Sequence, residues 1–179
     1  MSVSPTDETT DETLVQHEII DRTSADEQCH YWKLYIDGAS RNNPGLSGVG
    51  LYILKDEQPV EKQGFFVGIK TNNQAEYLAL LLGIFYLKHH IKKGDVVLII
   101  SDSELLVKQI KGKYRVKSPE LSRFFVIAQQ LLHDISYDIG HVLREENKVA
   151  DALANQGIDR KVRVPDDFLT LLKNYGISL

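Results

Sequence analysis

From Val96 to Ser103 the chain reads VVLIISDS, an unbroken apolar run that stops abruptly at Ser101-Asp102-Ser103. A strand with one wet face alternates apolar and polar residues. A continuous run is what a central strand covered on both faces requires, and helices usually provide that cover. Before this strand, Gly94-Asp95 reads as a turn. Ahead of it Ala75, Leu78, Ala79, Leu82, Phe85 and Tyr86 recur at helical spacing, with Leu80, Leu81, Ile84 and Leu87 between them. That helix is apolar around most of its circumference and must be buried. Thr71-Asn72-Asn73 supplies residues able to cap its start. His89-His90, at its end, reads as a surface pair. After the strand comes a short helix through Ile110, a basic loop over 111–117, and a helix from Ser118 to Leu132. Ser136–Leu143 reads as a strand and Asn147–Gly157 as a helix with Ala150, Leu153 and Ala154 inward. Pro165 opens a last short helix whose Phe168, Leu171 and Leu172 can dock on the body.

Upstream the period changes. Tyr31–Asp37 is a strand stopping at Gly38, followed by the turn formers Arg41-Asn42-Asn43-Pro44-Gly45. Ser47–Leu54 and Gln63–Ile69 are two more strands joined around Asp56–Pro59, which makes an antiparallel meander. Three meandering strands followed by strands alternating with helices describe a mixed-sheet α/β fold.

The whole chain has 179 residues, 42% hydrophobic and 26% charged, enough for one domain of ordinary globular composition plus a tail. One cysteine, Cys29, excludes an intrachain disulfide framework and a multi-cysteine zinc site. No apolar window is long enough to span a membrane, and the polar N-terminus lacks the character of a secretory signal. A cytoplasmic monomer is the expected state. The net charge of −4 is unevenly distributed: residues 1–30 hold eight acids and one base, while residues 31–179 hold 17 acids and 20 Lys or Arg. The acidic stretch 1–30 reads as a disordered tail with a short helix conceivable at Leu14–Ile20. In the basic body Lys108, Lys111, Lys113, Arg115 and Lys117 fall within ten positions, either a solvated face or a polyanion contact.

Two strands end in a carboxylate, Asp37 and Asp102. Either alone reads equally as a turn former or a helix cap. If the strands are parallel neighbours, both acids project from one edge of the sheet, where open α/β sheets bind ligands. Glu76 lies one turn into the buried helix, and a carboxylate there needs a cation or a hydrogen-bond partner. Asp151 sits among apolar positions on the first turn of its helix. Four acids close to core surfaces suggest an anionic pocket suited to a hard divalent cation.

These residues also carry a family resemblance. YIDGASRNNPG, GVGLYI, TNNQAEYLALLLGI, ISDSELLVKQI and HVLREENKVADALAN, in this order and spacing, make the chain from Tyr31 to Gly157 resemble ribonuclease H type 1. The resemblance implies a ribonuclease H-like mixed five-stranded sheet in the order 3-2-1-4-5 flanked by helices, with residues 31–157 as catalytic domain and 158–179 as a docked extension. It implies Asp37, Glu76, Asp102 and Asp151 as catalytic, metal-holding acids and two Mg²⁺ (or Mn²⁺) as cofactors. The implied reaction is hydrolysis of the RNA strand of an RNA–DNA hybrid, leaving a 5′-phosphate and a 3′-hydroxyl. Asn43, Asn73 and Gln74 resemble positions that face the hybrid's minor groove, and Lys111, Lys113 and Arg115 are expected on its phosphates. The chain departs from many members by a short Gly112–Pro119 connection in place of a long basic protrusion, and by the absence of a histidine-bearing loop before the last acid. His141 is assigned to the strand, and Arg144 and Glu145 are the residues nearby that are able to assist proton transfer or product release. The competing expectations are a binding module that kept the fold without catalysis, and another nuclease on the same fold.

Overall fold

The computed structural model describes residues 29–179. The acidic stretch 1–30, except for Cys29 and His30, lies outside them, as does the helix considered at Leu14–Ile20. Five strands form one sheet: β1 (Tyr31–Arg41), β2 (Gly45–Lys55), β3 (Gln58–Lys70), β4 (Val96–Ser101) and β5 (Ser136–His141). Their order is β3-β2-β1-β4-β5, with β1–β2 and β2–β3 antiparallel and β1–β4 and β4–β5 parallel. The helices are α1 (Asn72–Leu87), α2 (Glu104–Ile110), α3 (Pro119–Leu132), α4 (Lys148–Arg160) and α5 (Asp166–Asn174), with one 3-10 turn at Arg144–Glu146.

The meander differs from the sequence reading in strand length. β1 does not stop at Gly38 but runs on to Arg41, because the hairpin pairing carries through Gly38↔Val49 to Arg41↔Leu46 before turning. The β2–β3 link shrinks to Asp56-Glu57, both at positive φ, the two-residue turn whose twist suits a hairpin. Gln58 and Pro59 therefore belong to β3, where an edge position tolerates proline. β5 ends at His141, two residues earlier than expected, since the chain turns away after Val142 donates to the Ser101 carbonyl.

One face of the sheet carries Leu34, Ile36, Val97 and Ile99 against α1, which is buried on every side from Ala75 to Ile84 between the sheet and α3. Each fully buried Leu or Ile there contributes about 1.5–3 kcal/mol relative to exposure. Thr71 and Gln74 start the helix with a reciprocal capping box. The opposite face receives α4, which lies directly on backbone: a Cβ at Gly50 would fall 2.1 Å from the Ala150 carbonyl oxygen. Because Gly50 pairs with Asp37, this close approach sets the height of α4 above the end of β1. The C-terminal segment covers the β3 edge. Phe66 donates to the Val162 carbonyl at 2.7 Å, and Phe168 of α5 is fully buried edge-on against Phe85. Among the described residues no helix is long and apolar enough to cross a membrane.

Candidate active site

β1 and β4 run in register with Ile36 opposite Ser101, so the next residue of each, Asp37 and Asp102, emerges side by side at the same end of the sheet. The third acid arrives from the other layer. At Gly38 the absent side chain lets α1 touch the strand, for a Cβ there would meet the Glu76 nitrogen at 2.2 Å. Glu76 is thus pressed against the end of β1 and accepts a hydrogen bond from the Gly38 backbone. Oxygen atoms of Asp37, Glu76 and Asp102 lie within 4.8 Å of one another. Asp37 and Glu76 are each only 5% exposed. Together with Asn72, His141 and Arg144 they line an open cleft of about 490 Å³.

The electrostatics are those of a site awaiting positive charge. Burial, then the charges of Asp102 and Asp151, push the Asp37 carboxyl up to about 7, and a hydrogen bond shared with Asp102 acts in the same direction. Burial, then Asp37 and Asp102, push Glu76 well above the carboxylate range. Glu76 Oε2 is buried without a hydrogen-bond partner. A buried carboxylate oxygen with no donor is costly, and oxygen donors gathered at this spacing suit a divalent cation. The residues therefore fit the implied metal.

Asp151, on the first turn of α4, stands at the rim, ion-paired with Arg144 at 2.5 Å. It belongs to the same electrostatic unit, since its charge raises Asp37 while Arg144 lowers both Asp37 and Glu76. Asp151 thus stands outside the group of three acids, paired with an arginine that offsets part of its negative charge.

The expected substrate contacts are divided. Asn43 and Asn73 are exposed, and Asn43 Oδ1 accepts from the Asn72 backbone, tying the β1–β2 turn to the start of α1. Gln74 is engaged: its side chain completes the capping box and donates to Glu120. Lys111 is ion-paired with Asp138 at 3.1 Å, and Lys108 is held by Glu104 and Tyr114. Lys113 and Arg115 are exposed on the loop between α2 and α3.

From sequence, Asn147 reads only as the start of a helix. In the structure it is 1% exposed and does not cap α4 with its side chain. Its Nδ2 donates to the Ile36 carbonyl at 2.8 Å and to Asp102 Oδ1 at 3.2 Å. The only advance signal is an N-cap residue type four positions before Asp151, which by itself predicts a cap.

Similarity to known proteins follows the same residues. The Reverse transcriptase-like family model matches residues 35–157. Ribonuclease HI of Halobacterium salinarum is 41% identical over 128 residues, covering 70% of this chain. A crystal structure of RNase H1 from Halobacterium salinarum superposes with a TM-score of 0.69 at 37% identity, covering 73% of this chain and 98% of that one. The chain belongs to the ribonuclease H type 1 family. A further type 1 member, LC11-RNase H1, solved in complex with an RNA/DNA hybrid, superposes with a TM-score of 0.68 at 32% identity, covering 72% of this chain and 97% of that one. The chain spans 63% of the length of the curated Halobacterium relative and 34% of that of mycobacterial relatives. The ribonuclease H sheet order 3-2-1-4-5 expected from the motifs is the order found.

Proposed function

We propose that this chain is a metal-dependent endoribonuclease that hydrolyses the RNA strand of RNA–DNA hybrids, leaving a 5′-phosphate and a 3′-hydroxyl. The observation that carries the reading is the convergence of Asp37, Glu76 and Asp102 from three separate elements to within 4.8 Å, with a buried Glu76 oxygen that no protein donor satisfies. Two divalent cations, Mg²⁺ or in its place Mn²⁺, supply an activated water and stabilise the charge on the leaving 3′ oxygen when bound. Four carboxylates balance the four positive charges of such a pair, which is why a site this acidic suits two ions rather than one.

The chain's own groups have distinct parts. Asp37, Glu76 and Asp102 form the inner acid cluster, and Asp151 completes it from α4. Before loading, Asp37 keeps a proton to about pH 7, so cation uptake near neutrality releases it. Arg144, whose own pKa is pushed up by its hydrogen bond to Asp151, offsets negative charge at the rim where a scissile phosphate must enter. In this reading Asn43, tied to the Asn72 backbone, and Asn73, at the start of α1, read 2′-hydroxyls across a wide, shallow minor groove. Gln74 contributes by fixing the start of α1. Lys113 and Arg115 extend toward the backbone phosphates, with Lys111 joining them if it leaves Asp138. Residues 31–157 make up the catalytic domain in this reading, and 158–179 a covering extension. The known complex of LC11-RNase H1 with an RNA/DNA hybrid supports the choice of substrate.

The test uses end-labelled RNA–DNA hybrid, double-stranded RNA and branched DNA, each with Mg²⁺, Mn²⁺ or chelator. Cleavage confined to the RNA strand of the hybrid and abolished by chelator is the expected outcome. Cleavage of branched DNA instead, or metal-independent cleavage, overturns the proposal.

A further inference from the structure

Among the described residues only two buried side-chain polar atoms lack a partner: Glu76 Oε2, at the acid cluster, and Asn147 Oδ1, just behind it. The second belongs to a residue to which the proposed reaction gives no part. We propose that Asn147 is a positioning residue for the acidic site, holding the Asp102 carboxylate and the Ile36 backbone of β1 in fixed relation to the start of α4. The inference rests on the nuclease reading above.

The geometry excludes the ordinary explanation. Asparagine directly before a helix normally accepts a backbone N–H with its side-chain oxygen, yet Asn147 makes no such bond. Its amide instead turns into the protein, where both N–H groups are used on other elements. One goes to the carbonyl of Ile36, the residue before Asp37, and the other to an oxygen of Asp102. Its own backbone carbonyl accepts the Asp151 N–H at 3.1 Å. A single residue therefore touches Asp102, the strand position next to Asp37, and the backbone of Asp151.

The inward orientation leaves Oδ1 buried without a donor, which opposes folding. A brace with a purely architectural purpose would need only the bond to Ile36. The second bond restrains Asp102 Oδ1, and so determines which oxygen that carboxylate turns to the cleft. A neutral amide suits this position. A carboxylate at 147 would set an acceptor against both the Ile36 carbonyl and Asp102, and an aliphatic residue would leave both without a donor. Outer partners that orient ligating carboxylates typically change metal affinity or activity by about 10–100-fold when removed.

The experiment uses the full chain and three readouts: Mg²⁺ affinity by calorimetry in the absence of nucleic acid, steady-state kinetics on the hybrid, and thermal unfolding. Asn147→Ala is expected to weaken Mg²⁺ binding by roughly 10–100-fold and to lower kcat comparably, with KM for the hybrid nearly unchanged. Asp95→Ala, a buried polar change at the far end of the sheet, controls for general destabilisation and should lower the unfolding temperature without moving Mg²⁺ affinity. If Asn147→Ala does not fold, Asn147→Ser carries the same readouts. A folded variant with wild-type Mg²⁺ affinity and kcat, and only a lower unfolding temperature, overturns the inference alone. A wild-type chain that neither binds Mg²⁺ nor cleaves hybrid overturns the nuclease reading and this inference with it.

Discussion

The two ends of the central strand pair hold two aspartates with opposite fates. Asp37, just past the last β1–β4 pair, is 5% exposed and Asp95, just before β4, is 6% exposed. Burial works to raise both. At Asp95 it is outweighed by hydrogen bonds from the His30 and Lys92 backbones and the Trp32 indole, which hold the carboxyl below its ordinary value. At Asp37 the neighbours are Asp102 and Asp151, and the carboxyl is pushed up to about 7. Around Asp95 the chain also pairs His30 with Asp56 and stacks Trp32 on His90. Residue type and solvent exposure are thus nearly the same at the two ends, but Asp37 lies deeper among protein atoms and, unlike Asp95, has acids rather than donors as neighbours. One end is closed by donors from the protein, while the other keeps acids whose balance must come from outside, which is how a binding site differs from a structural network.

Substitution sharpens this contrast most strongly at the acidic end. Asp37→Asn or Asp102→Asn should lower hybrid cleavage by about 10³-fold or more, equivalent to about 4 kcal/mol of barrier. The same changes should leave the metal-free protein as stable as wild type or more so, because they relieve like-charge repulsion. Cleavage assays beside metal-free thermal melts check both halves, and a sharp loss of stability would break the comparison. Asp95→Ala should do the reverse. It leaves the Trp32 indole and two backbone donors without an acceptor and should cost about 2–3 kcal/mol, read as a fall of about 2–4 °C in Tm per kcal/mol for a chain of this size, with kcat unchanged.

The pH dependence separates the two ends by sign. Folded Asp37 holds its proton to about 7, whereas unfolded it loses it near the ordinary 3.8. Between those values the native state binds more protons, so its contribution to metal-free stability is greatest at low pH and is lost as pH rises through 7, by at most about 1.4 kcal/mol per pH unit. Glu76 acts in the same direction. Asp95, held below its ordinary value, contributes stability present above that value and lost as pH falls through the lowered one. Metal-free melts between pH 8 and 5 should therefore show Tm rising as pH falls, and Asp37→Asn should flatten the slope. A Tm that falls over this range in wild type would contradict the assignment. The smallest effect lies outside both ends. Lys113→Ala with Arg115→Ala should reduce the salt dependence of hybrid affinity, making the log–log slope shallower by roughly 0.7–0.9 for each phosphate these side chains neutralise, with kcat little altered.

Local pattern was enough for much of this. The VVLIISDS run predicts a strand covered on both faces, and the leucine-rich stretch after Thr71 predicts a buried helix, because both signals are periodicities carried by adjacent residues. The four acids were also legible, since Asp37 and Asp102 read as strand ends, Glu76 as an acid one turn into a buried helix and Asp151 as a first-turn acid. The antiparallel β1–β2 pairing was legible as well, but not its length: β1 runs past Gly38 because Val49 and Leu46 are there to receive it. Lys111 could not be known to face Asp138, a residue 27 positions away. Asn147 is the clearest case. Its place before α4 predicts a cap, and only the arrival of Ile36 and Asp102 beside it gives its amide better acceptors. Sequence determined which carboxylates this protein owns and which elements hold them, because propensity and period act over a few residues. The tertiary structure decided which of those carboxylates find donors, because hydrogen-bond partners and neighbouring charges come from segments that meet only when the sheet closes.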